Sequence, residues 1–221
     1  KNHSTKLNFN ILNTILNNRY SCRSFLKKDV SKKTIINLLN TAQKVPSWCN
    51  AQPWQVQIIS GKCLKRLTVL TLDAAKNGMQ NPDIDFPTSY LGTYKNRRRE
   101  CAEQLYDSAG IIMGDRVASK KQMLKNFNFF KAPCVALITT PKELGAYGVL
   151  DCGAYVTAFT LAATSLGLAS IPQAALAGLS PVLRDFLNIP DNRNIVCVIS
   201  FGYANEQDNI NKFRTTRANS K

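Results

Sequence analysis

Arg19, Ser21 and Arg23, within NNRYSCRSFLKKDV, stand at two-residue spacing. In an extended segment alternate side chains share a face, so two guanidiniums and a hydroxyl project together. Planar, charge-assisted donors of that kind suit a phosphate oxyanion. The same spacing also fits a solvated loop, where isolated cations contribute little. A second stretch, VPSWCNAQPWQV at 45–56, combines a helix-ending proline, polar Ser47, Asn50 and Gln52, and the tryptophans Trp48 and Trp54. Polar groups that can hydrogen-bond a planar heterocycle, beside apolar rings that shield it, are what a cofactor pocket requires. The plainer alternative is a helix–strand connection whose Trp54 packs into the core.

Composition removes several other chemistries. The one histidine, His3, sits in a terminal segment expected to fray, so Ser-His-Asp or Cys-His catalysis and histidine metal sites lack their central residue. Neither G-x-G-x-x-G nor G-x-x-x-x-G-K-[ST] occurs among the eleven glycines, so a bound phosphate is not held by a Rossmann or Walker loop. Seven cysteines, odd in number and without a C-x-x-C pair, fit a reduced, cytosolic protein. No charged stretch followed by a short apolar core opens the chain, so no signal peptide is expected. The formal charge of +15 gives a positive field that could draw nucleic acid, anionic lipid or phosphorylated small molecules. Its only dense cluster is Lys95-Asn-Arg-Arg-Arg99, and a solvated basic surface is the bland reading.

The elements that must position these residues follow from periodicity. Apolar residues from Leu7 to Leu16 predict an amphipathic helix over 7–17, and Ser31 caps a second helix, 32–44, which Pro46 ends. Trp54–Ser60 alternates as a half-buried strand, 62–76 reads as helix, 77–93 as a long irregular excursion and 94–113 as mostly helical. CVALITT at 134–140 and IVCVISFGY at 195–203 are apolar runs expected to be central strands. The uncharged run 152–170 is long enough to be weighed as a membrane span, but its threonines, serines and glycines favour a helix, 153–166, buried on all sides. A short helix follows Ser180-Pro181, with Ser180 as cap. The order is α, α, β, α, α, β, α, α, β, an α/β (α+β type) layer protein in one domain over 1–221.

Arg19-Tyr-Ser-Cys-Arg23, followed by Pro46-Ser-Trp-Cys-Asn-Ala-Gln-Pro-Trp54, resembles the paired elements of the nitroreductase family of FMN-dependent oxidoreductases. NFNFFKAPCVALI at 126–138, SLGLASIPQAALAGL at 165–179 and ISFGYAN…KFRTTR at 199–217 resemble the rest of that family in order, most closely its nitrobenzoate-reductase branch. The resemblance implies a mainly antiparallel central sheet flanked by helices in an intertwined homodimer. It also implies tightly but non-covalently bound FMN, NADH or NADPH as co-substrate, and a small aromatic acceptor. Neither nucleic acid nor a membrane is an expected partner. By the same resemblance Arg19 and Ser21, with Tyr20 between them, grip the phosphate and ribityl chain, and Arg217 with Arg214 adds basic contacts. Arg23 lies near flavin N1 and O2. Pro46, Ser47, Trp48 and Asn50 reach in from the other subunit, and Pro172, Gln173, Ala174 and Ala175 lie over the ring near N5. The chain departs from the better-studied branch at Ala174-Ala175, where that branch has Glu-Gly, and at Thr215, where it has Lys. The region 77–130 is implied to form the lid, with Tyr90, Tyr94, Tyr106 and Phe127 as candidate contacts or as packing. Two other readings stand beside this one. One is a relative of the same fold with a dehalogenating or flavin-processing role. The other is a basic nucleic-acid-binding protein using 95–99 and 120–131.

Overall fold

The computed structural model describes residues 2–220, with side chains from Ser4 onward, so the His3 side chain lies outside the described residues. Its helices are α1 (Asn2–Asn18), α2 (Lys32–Ala42), α3 (Gly61–Lys76), α4 (Gly92–Ser108), α5 (Arg116–Leu124), α6 (Gly145–Ser165) and α7 (Ser180–Leu187). The strands are β1 (Gln55–Ser60), β2 (Cys134–Pro141), β3 (Ala169–Gln173) and β4 (Arg193–Gly202). They form one sheet in the order β1-β2-β4-β3, antiparallel throughout. The only parallel pairing among the described residues is a single bridge from Ser21 to Ser170, which attaches the N-terminal arginine segment to the free edge of β3.

The two apolar runs are the central strands, as expected, and both of their faces are covered. One face carries α2 and α6 with Trp54, Tyr155, Phe159 and Phe201; the other carries α3, α7, Phe127 and Leu176. Trp54 thus belongs to the core, its Nε1 donating to Gln43 Oε1 at 2.8 Å. A third, smaller cluster of Cys22, Phe25, Phe130, Ala132 and Ile171 lies under the arginine segment. Phe129, Phe130 and Lys131 all have positive φ, and this left-handed run sends consecutive phenyl rings into two different clusters.

Several expectations need correction. β3 and α5 were not foreseen. Pro172 argues against a strand, but β3 is an edge with one strand neighbour, where proline is tolerated. Helix α6 starts eight residues earlier than expected and is not buried on all sides. Cys152, Tyr155, Phe159 and Ala163 face the sheet, while Leu150, Gly153 and Thr157 are exposed. The stretch 142–165 is long and apolar enough by composition to cross a membrane, yet one stripe of it packs on the sheet. The apolar side of α1 is likewise open, with Phe9 63% and Leu12 51% exposed. Ser180 does not cap α7; its hydroxyl donates to Ala177 O and accepts from Asp83 N. The excursion after α3 is tied to that helix, because Asp83 also pairs with Arg184 at 2.6 Å and accepts from Ile195 N.

Two predictions follow from the packing. A Cβ on Gly202 would stand 2.5 Å from Cδ of Pro133, whose ring cannot rotate away. Gly202→Ala is therefore expected to lose about 1–3 kcal/mol in urea unfolding. Burial also raises the thiols of Cys22 and Cys152 from 9.0 to about 11 and that of Cys197 to about 12. The unfolded chain gives up these protons first, so their contribution is complete below pH 9 and lost as pH rises from 9 through about 11 for Cys22 and Cys152 and about 12 for Cys197. Unfolding midpoints measured under reductant should fall progressively between pH 9 and 12.

Candidate functional site

The arginine segment is held in extended form by its backbone. Arg19 N closes α1 on Ile15 O, Cys22 N donates to Ser170 O at 3.1 Å, and Leu26 N donates to Tyr203 O at 2.9 Å. Cys22 is fully buried in the third cluster, while its neighbours Ser21 and Arg23 stay partly exposed on the other face. The alternation expected from the spacing is thus present, enforced by one buried thiol.

The C-terminal tail reaches this face through Asn211, whose side chain is 3% exposed. Its Oδ1 accepts from Arg23 N at 2.8 Å, and its Nδ2 donates to Ser24 O at 2.7 Å and to Asn205 O at 2.9 Å. Just beyond it, Arg214 lies over the Tyr20 ring at 3.7 Å, and Arg23 faces the Phe213 ring at 5.8 Å. A cavity of about 290 Å³ results, lined by Arg19, Tyr20, Ser21, Arg23, Phe213, Arg214, Thr215 and Arg217. Residues from the two ends of the chain therefore share one pocket.

The electrostatics of that pocket favour an anion. Among the described residues no carboxylate pairs with any of the four arginines; the only ion pairs are Arg99–Glu103 and Arg184–Asp83. Desolvation, and then repulsion from Arg217, lowers the pKa of Arg19, and desolvation lowers that of Arg23. Desolvation also pushes the Tyr20 hydroxyl up to about 12, leaving it a neutral donor. An anion between the guanidiniums relieves the repulsion and accepts charge-assisted hydrogen bonds beside those that Arg23, Arg214 and Arg217 make to Ser21, Asn211 and Thr215. The donor set fits a phosphate group.

The other predicted residues lie elsewhere on the chain. Pro172 and Gln173 end β3, whose residue Ser170 is bridged to Ser21, and Ala174 and Ala175 follow it. The Gln173 side chain turns inward, donating to Asn126 O and accepting from Ser200 Oγ, so it is not free to contact a ligand. Pro46 and Ser47 instead line a cavity of about 740 Å³ with Leu150, Gly153 and Thr157 of α6. Trp48 is 64% exposed, its ring 4.9 Å from that of Tyr147 and its N–H held by both Asp151 carboxylate oxygens. Cys49, Asn50 and Gln52 all have positive φ, a strained course stapled by Asn50 N on Ser47 O and Gln52 N on Ser47 Oγ. None of Pro46, Ser47, Trp48 or Asn50 lines the arginine pocket of the same chain. Of the aromatic candidates, Phe127 is core, Tyr90 carries Arg98 at 5.3 Å, Tyr94 is 69% exposed, and Tyr106 lines a cavity between α4 and α5. Sequence reasoning missed Asn211; an asparagine in a polar tail carries no signal of the contacts it makes.

A sequence profile of the Nitroreductase family matches residues 16–203. The 4-nitrobenzoate reductase of Pseudomonas putida is 30% identical over 203 residues, covering 92% of this chain and 89% of that protein. The 4-nitrobenzoate reductase of Nocardioides sp. (strain LMS-CY) is 32% identical over 208 residues, covering 92% and 84%. Among solved structures, the FMN-dependent nitroreductase NfnB of Mycobacterium smegmatis in complex with NADPH superposes with a TM-score of 0.91. It is 28% identical and covers 95% of each chain.

Asn211→Leu removes one acceptor and two donors from buried backbone groups. It is expected to cost about 2–3 kcal/mol in urea unfolding. It should also speed trypsin cleavage after Lys212 and Arg214, read by mass spectrometry.

Proposed function

The chain belongs to the nitroreductase family, and from that premise we propose an FMN-dependent oxidoreductase that carries reducing equivalents from NAD(P)H to a nitroaromatic or quinone-type acceptor, the two substrates using one site in turn. What most supports this reading is the meeting of Arg19 and Arg217, from opposite ends of the chain, in one pocket without an acidic partner. When bound, FMN would supply the redox chemistry, the transfer of hydride equivalents between nicotinamide and acceptor.

The protein's own part is to bind, orient and tune. Arg19, Ser21 and Arg217 hold the phosphate and the ribityl chain, with Arg214 fixed beside them by its stacking on Tyr20. Arg23, anchored through its backbone to Asn211, would supply a cation that offsets the negative charge the ring gains on reduction. The segment Pro172–Ala175 would hold the ring through its backbone, since the Gln173 side chain is committed inward. No side chain acts as nucleophile or general base.

We assign a homodimer, with the open faces of α1 and α6 covered by a second copy. Burial of those apolar stripes supplies the association energy. Pro46, Ser47, Trp48 and Asn50 of the loop beside α6 then complete the site of the other copy. Residues 77–130, with α4 and α5, form the lid.

The phosphate assignment is tested by flavin content. Arg19→Ala and Arg217→Ala should each weaken FMN binding by about 1.5–3 kcal/mol, the scale of a hydrogen bond to a charged group. FMN titration of the apoprotein, followed by flavin fluorescence, measures this. Full flavin retention by the double variant would refute the assignment.

A further inference from the structure

The flavin reading leaves the densest charge in the sequence unused. Helix α4 opens with Gly92-Thr-Tyr-Lys-Asn-Arg-Arg-Arg99. Two of these cations are engaged, Arg98 on the Tyr90 ring and Arg99 with Glu103. Lys95 and Arg97 have no carboxylate within ion-pair distance among the described residues.

Arg97 shares a helical face with Glu100, Cys101 and Gln104 at intervals of three, four and seven residues. That face lines a cavity of about 660 Å³, whose other wall is Thr215, Thr216, Arg217 and Ala218. Thr215 and Arg217 also line the arginine pocket, so the two cavities adjoin along one tail. The helix is fastened to that tail, for Glu100 Oε1 accepts from Thr216 Oγ1 at 3.3 Å and from Gln104 Nε2 at 3.2 Å. The helix therefore places Arg97 beside a pocket that holds arginines of its own for a single phosphate.

We infer that Arg97, with Lys95 alongside, is a specificity residue that reads the 2′-phosphate of NADPH and sets this enzyme's preference for NADPH over NADH. The inference rests on the flavin reading above. The chemistry matches. The two dinucleotides differ by one phosphate ester on the adenosine ribose, and a guanidinium without a carboxylate partner at the mouth of the cavity distinguishes them by charge and by paired N–H donors. Because Arg97 is exposed, solvent limits the discrimination to a modest factor.

The test uses FMN-loaded protein. Wild type should favour NADPH in kcat/KM with a single nitroaromatic acceptor, and Arg97→Ala should lower the NADPH-to-NADH ratio about five- to tenfold, chiefly through KM for NADPH. Calorimetric titration with adenosine 2′-monophosphate should show binding that Arg97→Ala weakens by a similar factor, with adenosine 5′-monophosphate as the contrast. Lys33→Ala, an equal loss of charge at the start of α2, should leave the ratio intact. An unchanged ratio in Arg97→Ala with full flavin content overturns the inference, as does a wild-type preference for NADH. Loss of FMN from Arg97→Ala also overturns it, by making Arg97 part of the flavin site. A wild-type protein that takes up no FMN instead refutes the flavin reading, so the two failures are distinct.

Discussion

The bonds that Asn211 makes to the backbone of Arg23, Ser24 and Asn205 are the constraint on which the site depends. With the Phe25–Ala204 bridge and the bond from Asn205 N to Ser24 O, they return the residues after β4 to the arginine segment, so that arginines from the two ends of the chain meet in one pocket. Bringing like charges together out of water is unfavourable, and the pKa of Arg19 is lowered first by desolvation and then by Arg217. The fold meets that cost with neutral hydrogen bonds buried beneath the charges, which salt does not screen. The site is preorganised for an anion by groups that carry no charge themselves.

Much of this was legible in advance. The apolar runs that became β2 and β4 were plain, because a strand covered on both faces must be apolar throughout. The arginine spacing announced a shared face, and Cys22 enforces it by burial. What could not be read was either long-range or set against a local rule. Pro172 masked β3, since proline disfavours strands everywhere except at edges, and nothing local says which strand is an edge. Helix α6 is apolar along most of its length, and composition does not distinguish the stripe that faces the sheet from the one that stays exposed. Ser180 had the sequence of a helix cap, and a distant aspartate recruited it instead.

Charge divides the labour in the same molecule. The formal charge of +15 gives a positive field that attracts anions at long range. Close to the surface the guanidiniums differ, Arg214 being packed on the Tyr20 ring while Arg97 of α4 stays exposed.

The left-handed run at 129–131 carries one more consequence. Because adjacent phenyl rings are anchored in separate clusters, the helical layer of α3 and α7 and the floor of the arginine pocket share a single covalent hinge. The packing of Phe129 beside α3 and that of Phe130 beside Cys22 therefore constrain one another through adjacent peptide units, and neither ring can be repositioned without the other.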